Sequence, residues 1–162
     1  MSLFPGMQQV AYTAFSTYPW IRLLVIYKQK SMAIIPQTPG IHHIALRCSD
    51  MDVTKNFYQN IIGLPLAIDS PQLMIFAAGS VFIAFKQANP SQKQGAVFSP
   101  FEIGLDHVAI TCETEEELRR VANALTDAGV ENTGVKLDET LQKRYIAFKD
   151  PDRIQWEFYM TW

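Results

Sequence analysis

Two histidines and one glutamate in this 162-residue chain have side chains suited to holding a divalent metal ion. His43 and His107 lie in two similar segments, and Glu157 lies near the end of the sequence. Imidazole nitrogens and carboxylate oxygens are ligands for Fe, Mn, Zn, Ni and Co. A centre with three protein ligands keeps open positions, where the metal polarises an oxygen, activates a water or orients a chelating substrate.

The two histidines occupy matching positions of an internal repeat. Residues 41–48 align with residues 105–112, sharing His, Ala and Cys and matching in the kind of apolar residue between them. A repeat of this length indicates two stacked supersecondary units. We therefore expect the two units to place their histidines equivalently.

Each repeat begins with a strand and continues into a helix and three further strands. The pattern predicts a first helix that starts at Ser49 or Asp50 and ends at Gly63, and a second that starts at Thr114 and ends near Gly129. Alternating and apolar-rich runs predict the strands. These strands are expected at 41–48, 64–69, 72–78 and 80–87, and again at 105–112, 134–139, 143–149 and 153–160.

The helices are expected to pack through one apolar face each. In the first helix this face would hold the residues spaced four apart, and in the second those spaced three and four apart. The residues concerned are Val53, Phe57 and Ile61, and then Leu118, Val121 and Leu125.

The same pattern divides the chain into four segments. Residues 40–87 form module one, 88–103 a linker or lid rich in Pro, Gly and Ser, and 104–162 module two, so that 39–162 is one domain. Residues 1–38 are an N-terminal extension without clear periodicity. That extension is either an upstream start or a helix that packs on the domain or on a partner subunit.

Strand alternation places the candidate ligands on the sheet faces opposite the helices. His43 would point to the face opposite Ile44, and Glu157 lies between apolar residues on the last strand. A carboxylate in that setting is costly unless it is paired or bound to a cation. His42 would point to the opposite face from His43, which indicates a structural or surface role.

Four motifs resemble those of the glyoxalase/bleomycin resistance/extradiol dioxygenase group, the vicinal oxygen chelate superfamily. They lie at residues 40–46, 56–64, 105–110 and 150–158, and the resemblance covers about residues 40–160. It implies an α+β fold in which two βαβββ modules form a curled, eight-stranded mixed sheet cup. It also implies that His43, His107 and Glu157 are the metal ligands.

Two departures from the family pattern bear on the expected reaction and on the shape of one turn. The position of a fourth possible ligand is Ala84, which binds no metal, so lactoylglutathione lyase activity is disfavoured. The remaining ligands look more like those of extradiol dioxygenases and fosfomycin-modifying thiol transferases. In the turn Asp150-Pro151-Asp152, Arg153 replaces the family's glycine, so a different turn shape is expected.

Four further residues are candidates for contacts inside the cup. Tyr145 would donate a hydrogen bond to a metal-bound oxygen, or would pack as an aromatic of the cup wall. Arg47 and Lys86 would favour an anionic substrate, or would reach solvent at strand ends. Gln155 would support a histidine or the substrate, or would line the wall.

Composition excludes several classes of function. A net charge of −2 without a basic stripe argues against nucleic-acid binding. No apolar run reaches the length of a membrane span. The two cysteines, Cys48 and Cys112, form no CxxC pair, which is typical of a reducing cytoplasm. We expect a cytoplasmic homodimer with a small-molecule substrate.

Two functions remain open on the sequence. The first is a divalent-metal-dependent enzyme on a small oxygen-bearing substrate, either dioxygenase-like or lyase- or transferase-like. The alternative is a metal-free protein of the bleomycin-resistance type that sequesters a small molecule in the cup. Fold alone does not choose between them.

Overall fold

The computed structural model describes residues 38–91 and 97–161. Pro39–Trp162 forms one compact unit. The predicted extension, residues 1–38, lies outside the described residues except for its last residue, as do residues 92–96 of the predicted linker. No helix among the described residues is long and apolar enough to cross a membrane.

The first module contains one strand, one helix and three further strands. Its helix continues into a π-helical turn, Phe57–Ile61. The elements are β1 His43–Cys48, α1 Met51–Asn56, β2 Leu66–Ser70, β3 Leu73–Ala78 and β4 Val81–Gln87.

The second module repeats this order. Its first strand begins three residues later than the repeat alignment predicts, so that His107 immediately precedes the strand. The elements are β5 Val108–Cys112, α2 Glu115–Asp127, β6 Lys136–Asp138, β7 Lys143–Lys149 and β8 Gln155–Met160.

Each module forms its own four-stranded mixed sheet. The strand orders are β1-β4-β3-β2 and β5-β8-β7-β6. The first strand of each module pairs in parallel with the last, and the remaining pairs are antiparallel. The predicted α+β class with two βαβββ modules is confirmed, and the eight strands divide equally between two sheets.

The predicted apolar face of the first helix is confirmed at Phe57 and wrong at Val53 and Ile61. Val53 is 51% exposed and Ile61 38% exposed, whereas Thr54, Phe57 and Tyr58 are buried. The π-helical turn at Phe57–Ile61 inserts extra backbone after Phe57, so Ile61, four residues on, no longer returns to the side of Phe57. The exposure of Val53, which precedes this turn, has no explanation in it. Asp50 caps this helix by accepting hydrogen bonds from the backbone N–H groups of Asp52 and Val53.

The second helix follows its prediction more closely. The Thr114 side chain accepts a hydrogen bond from the Glu117 N–H, which satisfies one free donor at the helix start. Leu118 and Leu125 are buried as predicted, and Val121 packs partly buried against the core.

The two modules share one core on their helix-bearing sides. The Tyr58 ring meets the Trp156 ring edge-on at 5.4 Å, and the Tyr58 hydroxyl donates to Asp150 Oδ2 at 2.8 Å. Burial raises the pKa of Asp150, which the hydrogen bond from Tyr58 lowers in part. Both rings are fully buried, so this contact fixes the modules against each other through the sides that carry the helices.

The opposite faces of the two sheets are therefore turned away from the shared core. In β1, His43 and Ala45 are exposed while Cys48 is buried in the core. In β8, Trp156 belongs to the core and the next residue, Glu157, points to the other face. These two outward faces carry the predicted ligands.

In the turn between β7 and β8, an arginine stands where a glycine was expected, and its backbone is strained. Arg153 has φ of 64°, the left-handed conformation that glycine adopts most readily. Asp150 Oδ1 accepts hydrogen bonds from the N–H groups of Asp152 and Ile154, and the Arg153 guanidinium pairs with Glu131 at 3.0 Å. These contacts hold the turn that leads into the Glu157 strand.

Candidate metal centre and cavity

His107 and Glu157 form a pair of metal-ligand type on the outward face of module two. His107 Nε2 lies 3.5 Å from Glu157 Oε2. In a tetrahedral site with metal–ligand distances near 2.1 Å, neighbouring donors lie about 3.4 Å apart. The separation therefore suits two ligands of one ion.

Glu157 is buried although its nearest partner is a single imidazole. The residue is 7% exposed. Burial raises the pKa of Glu157, His107 lowers it, and the negative charges of Asp106 and Asp138 raise it further. A cation bound at this position would relieve the cost of the buried carboxylate.

His43 lies on the other outward face, at a cavity of about 460 Å³. The cavity walls are mainly apolar and include Ile68 and Phe82. Its volume falls in the range of roughly 300–1,000 Å³ typical of small-molecule sites. The position predicted to be empty of a ligand, Ala84, lies on this wall and pairs with Ala45 across the sheet.

The three predicted ligands are not brought together within one chain. Among residues 38–91 and 97–161, no three His, Cys, Asp or Glu side chains come close enough to hold one metal ion. Of the three residues, His107 and Glu157 lie next to each other, and His43 lies apart from them. The prediction of a single three-ligand centre stays a prediction.

His42 was misjudged from strand alternation. It precedes β1, so the alternation of that strand does not govern it. His42 lines the same cavity as His43, and the two Nδ1 atoms lie 3.0 Å apart. The internal repeat contained a clue to this position. His42 precedes His43 as Asp106 precedes His107, so the two preceding residues are equivalent.

The remaining predicted residues occupy different surroundings. Lys86 lines the His43 cavity, whereas Arg47 lines a neighbouring cavity of about 490 Å³ beside the linker and donates to the Gln87 carbonyl at 2.9 Å. Gln155 lines a small cavity of about 110 Å³ with Glu131. The structure therefore groups only Lys86 with His43.

Tyr145 lies on the same face of the second sheet as Glu157. It pairs with Tyr159 across the sheet, and the two rings stack with centroids 6.0 Å apart. The Tyr159 hydroxyl donates to Asp138 at 2.8 Å. Burial and this acceptor raise the pKa of Tyr159 to about 12, so its hydroxyl stays a donor at neutral pH. Tyr145 is half-buried.

The paired βαβββ modules and their outward-facing donors define the class of protein. The family model of the Glyoxalase/Bleomycin resistance protein/Dioxygenase superfamily matches residues 40–158. The chain belongs to this superfamily, which confirms the resemblance found in its motifs.

Similar proteins cover most of the same span. The uncharacterized protein YwkD of Bacillus subtilis is 31% identical over 128 residues, covering 74% of this chain and 95% of that protein. The metallothiol transferase FosB of Staphylococcus saprophyticus is 24% identical over 120 residues, covering 74% and 76%. A crystal structure of a glyoxalase family protein from Enterococcus faecalis is similar with a TM-score of 0.62 and 26% identity, covering 75% and 97%.

Proposed function

We propose that this protein is a divalent-metal-dependent enzyme of the superfamily, with its metal centre completed between two copies of the chain. His107 and Glu157 of one copy and His43 of the other would be the ligands. The observation that carries the proposal is the pair of facing donors at 3.5 Å, one of them a buried carboxylate. The relation to FosB, a metallothiol transferase, supports a metal in this family setting.

The need for two copies follows from the packing of one. The modules meet through Tyr58 and Trp156 on their helix-bearing sides, which leaves both ligand-bearing faces outward. We propose a two-fold symmetric dimer in which the His43 face of one copy meets the His107 face of the other, a contact that the symmetry would repeat once. Such a dimer contains two equivalent centres.

The proposed enzyme would act on a small oxygen-bearing substrate. A bound divalent ion would polarise a substrate oxygen and stabilise charge that develops on it. The apolar wall around Phe82 would hold a hydrocarbon portion, and Lys86 would attract an anionic group of the substrate. Tyr145 would donate a hydrogen bond from the Glu157 face, whether the reaction is dioxygenase-like or lyase- or transferase-like.

Metal binding is the direct test of the proposal. Protein purified without chelators should retain about one divalent ion per chain, measured by elemental analysis, and Glu157→Ala should abolish retention. Glu139→Ala, an exposed acid in the β6–β7 turn, is the matched control and should leave retention unchanged. Wild-type protein that neither retains a metal nor takes one up on dialysis would refute the proposal.

A second function is favoured by the cavity rather than by the donors. The His43 cavity is apolar and large enough for a small molecule without any metal, so the protein could sequester a ligand. Thermal unfolding with EDTA separates the two. An unchanged midpoint after EDTA treatment, with stabilisation by an apolar ligand alone, would favour sequestration; a midpoint lowered by EDTA would favour the metal centre.

A further inference from the structure

The residue immediately before each candidate ligand histidine contacts the Nδ1 atom of that histidine. Asp106 Oδ1 lies 2.6 Å from His107 Nδ1, and His42 Nδ1 lies 3.0 Å from His43 Nδ1. The two contacts occupy equivalent positions of the repeat. Both contacts engage Nδ1 of the following histidine, but the partner atom is a carboxylate oxygen in Asp106 and an imidazole nitrogen in His42.

The contact at His107 determines which ring nitrogen is left for a metal. A carboxylate only accepts hydrogen bonds, so His107 Nδ1 carries the proton and donates it to Asp106. A neutral imidazole then has its lone pair on Nε2. This is the atom that faces Glu157 Oε2 at 3.5 Å.

The contact at His43 would achieve the same result if His43 is the donor and the His42 ring the acceptor. One of the two Nδ1 atoms donates and the other accepts. The His42 ring is held edge-on to His43, with centroids 5.2 Å apart, and packs against Phe82 at 5.6 Å. With His43 as the donor, its Nε2 lone pair is free at the cavity.

We propose that His42 and Asp106 are positioning residues that fix the Nε2 tautomer of His43 and His107 for metal binding. This rests on the proposed metal centre. The two residues are unequal, because an anionic acceptor raises the basicity of the ligand imidazole more than a neutral ring does. Asp106 therefore makes the His107 half of the centre the stronger one.

Zinc affinity tests the inequality. The Asp106 side chain is 68% exposed, so its substitution should leave the fold intact. We expect Asp106→Ala to weaken Zn²⁺ binding about 10- to 100-fold, and Asp106→Asn, whose amide oxygen still accepts, to recover part of that loss. His42→Phe should weaken binding less than Asp106→Ala. Unchanged affinity in Asp106→Ala, or no recovery in Asp106→Asn, would overturn the proposal.

The tautomers themselves are measurable without any metal. In EDTA-treated protein, imidazole ¹⁵N chemical shifts should show protonated Nδ1 and unprotonated Nε2 at both His43 and His107. Asp106→Ala should shift only His107 toward the Nε2-protonated form, and His42→Phe only His43. Glu139→Ala should shift neither. Wild-type rings already protonated at Nε2, or variants with unchanged tautomers, would contradict the inference.

The two measurements separate this inference from the proposed function. If wild-type protein binds no Zn²⁺, the metal centre fails, whereas the ¹⁵N shifts still decide whether Asp106 and His42 select the tautomers. If Zn²⁺ binds but the shifts show the other tautomer, the metal centre stands and the positioning role is wrong.

Discussion

At the scale of single residues, the sequence provided the candidate donors but not the side chains that contact them. The repeat singled out His43 and His107, and strand alternation singled out Glu157. His42 escaped because alternation was extended beyond the first residue of β1. A side chain next to a strand takes its direction from the loop conformation, which local periodicity does not encode.

Lys86 provides a prediction about substrate charge. It is the cationic residue in the lining of the His43 cavity. In EDTA, octanoate should stabilise the protein more than 1-octanol at equal concentration, and Lys86→Gln should weaken octanoate binding about three- to fivefold, the scale of an exposed ion pair. Thermal unfolding across a ligand titration measures both.

The matched control for this prediction is Lys55→Gln. Lys55 pairs with Asp69 outside the cavity lining, so octanoate binding should not change. Equal stabilisation by octanoate and octanol, or a Lys86→Gln variant that binds octanoate as well as wild type, would show that Lys86 does not attract an anionic group of the ligand.

At the scale of elements, their order followed from the sequence and the face of one helix did not. The strand and helix order of both modules matches the prediction, and so do the helix starts at Asp50 and Thr114. Val53 and Ile61 were wrongly assigned to the core. The π-helical turn that changes the spacing is stabilised by tertiary packing of Phe57 and Tyr58, so the helical period alone could not reveal it.

The β7–β8 turn gives a prediction about backbone strain. Arg153 holds φ of 64°, which costs a residue with a Cβ about 1 kcal/mol or more relative to glycine. Arg153→Gly should therefore exceed Arg153→Ala in free energy of unfolding by about 1 kcal/mol. Both variants lose the exposed ion pair with Glu131, so the comparison isolates the backbone. Urea denaturation measures it, and equal stabilities would show that the turn is unstrained.

At the scale of the whole molecule, the sequence predicted two modules but not which sides they bury. The choice depends on long-range contacts such as those of Tyr58 with Asp150 and Trp156. Because those contacts turn both outer sheet faces away from the core, His43 is kept apart from His107 and Glu157 within one chain. The family resemblance implied three ligands, but it did not predict that two of them would lie apart from the third within one chain.

Acid should destabilise the folded chain through its surface ion pairs. Hydrogen bonds from arginines lower the pKa of Glu115, Glu117 and Glu131 below the usual 4.5. Their contribution is present above that value and is lost as pH falls through the lowered folded-state values. The contribution of these three carboxylates to the free energy of unfolding, measured by urea titration, should thus decrease from pH about 6 to about 3.5.

The Glu131→Gln variant is the control for the acid effect. It removes one of these carboxylates, so its loss of stability over the same pH range should be smaller than that of wild type. If Glu131→Gln loses as much stability as wild type over this pH range, the Arg153–Glu131 pair contributes nothing to the acid effect.

The central claim, a metal centre shared by two copies, is tested most directly with a hybrid dimer. His43→Ala and His107→Ala chains, co-expressed with different affinity tags and purified through both tags, would leave one intact centre among the two in each dimer. The hybrid should bind about one Zn²⁺ per dimer against about two for wild type, while each parent variant alone binds none. A hybrid that binds no more Zn²⁺ than its parents would contradict the account.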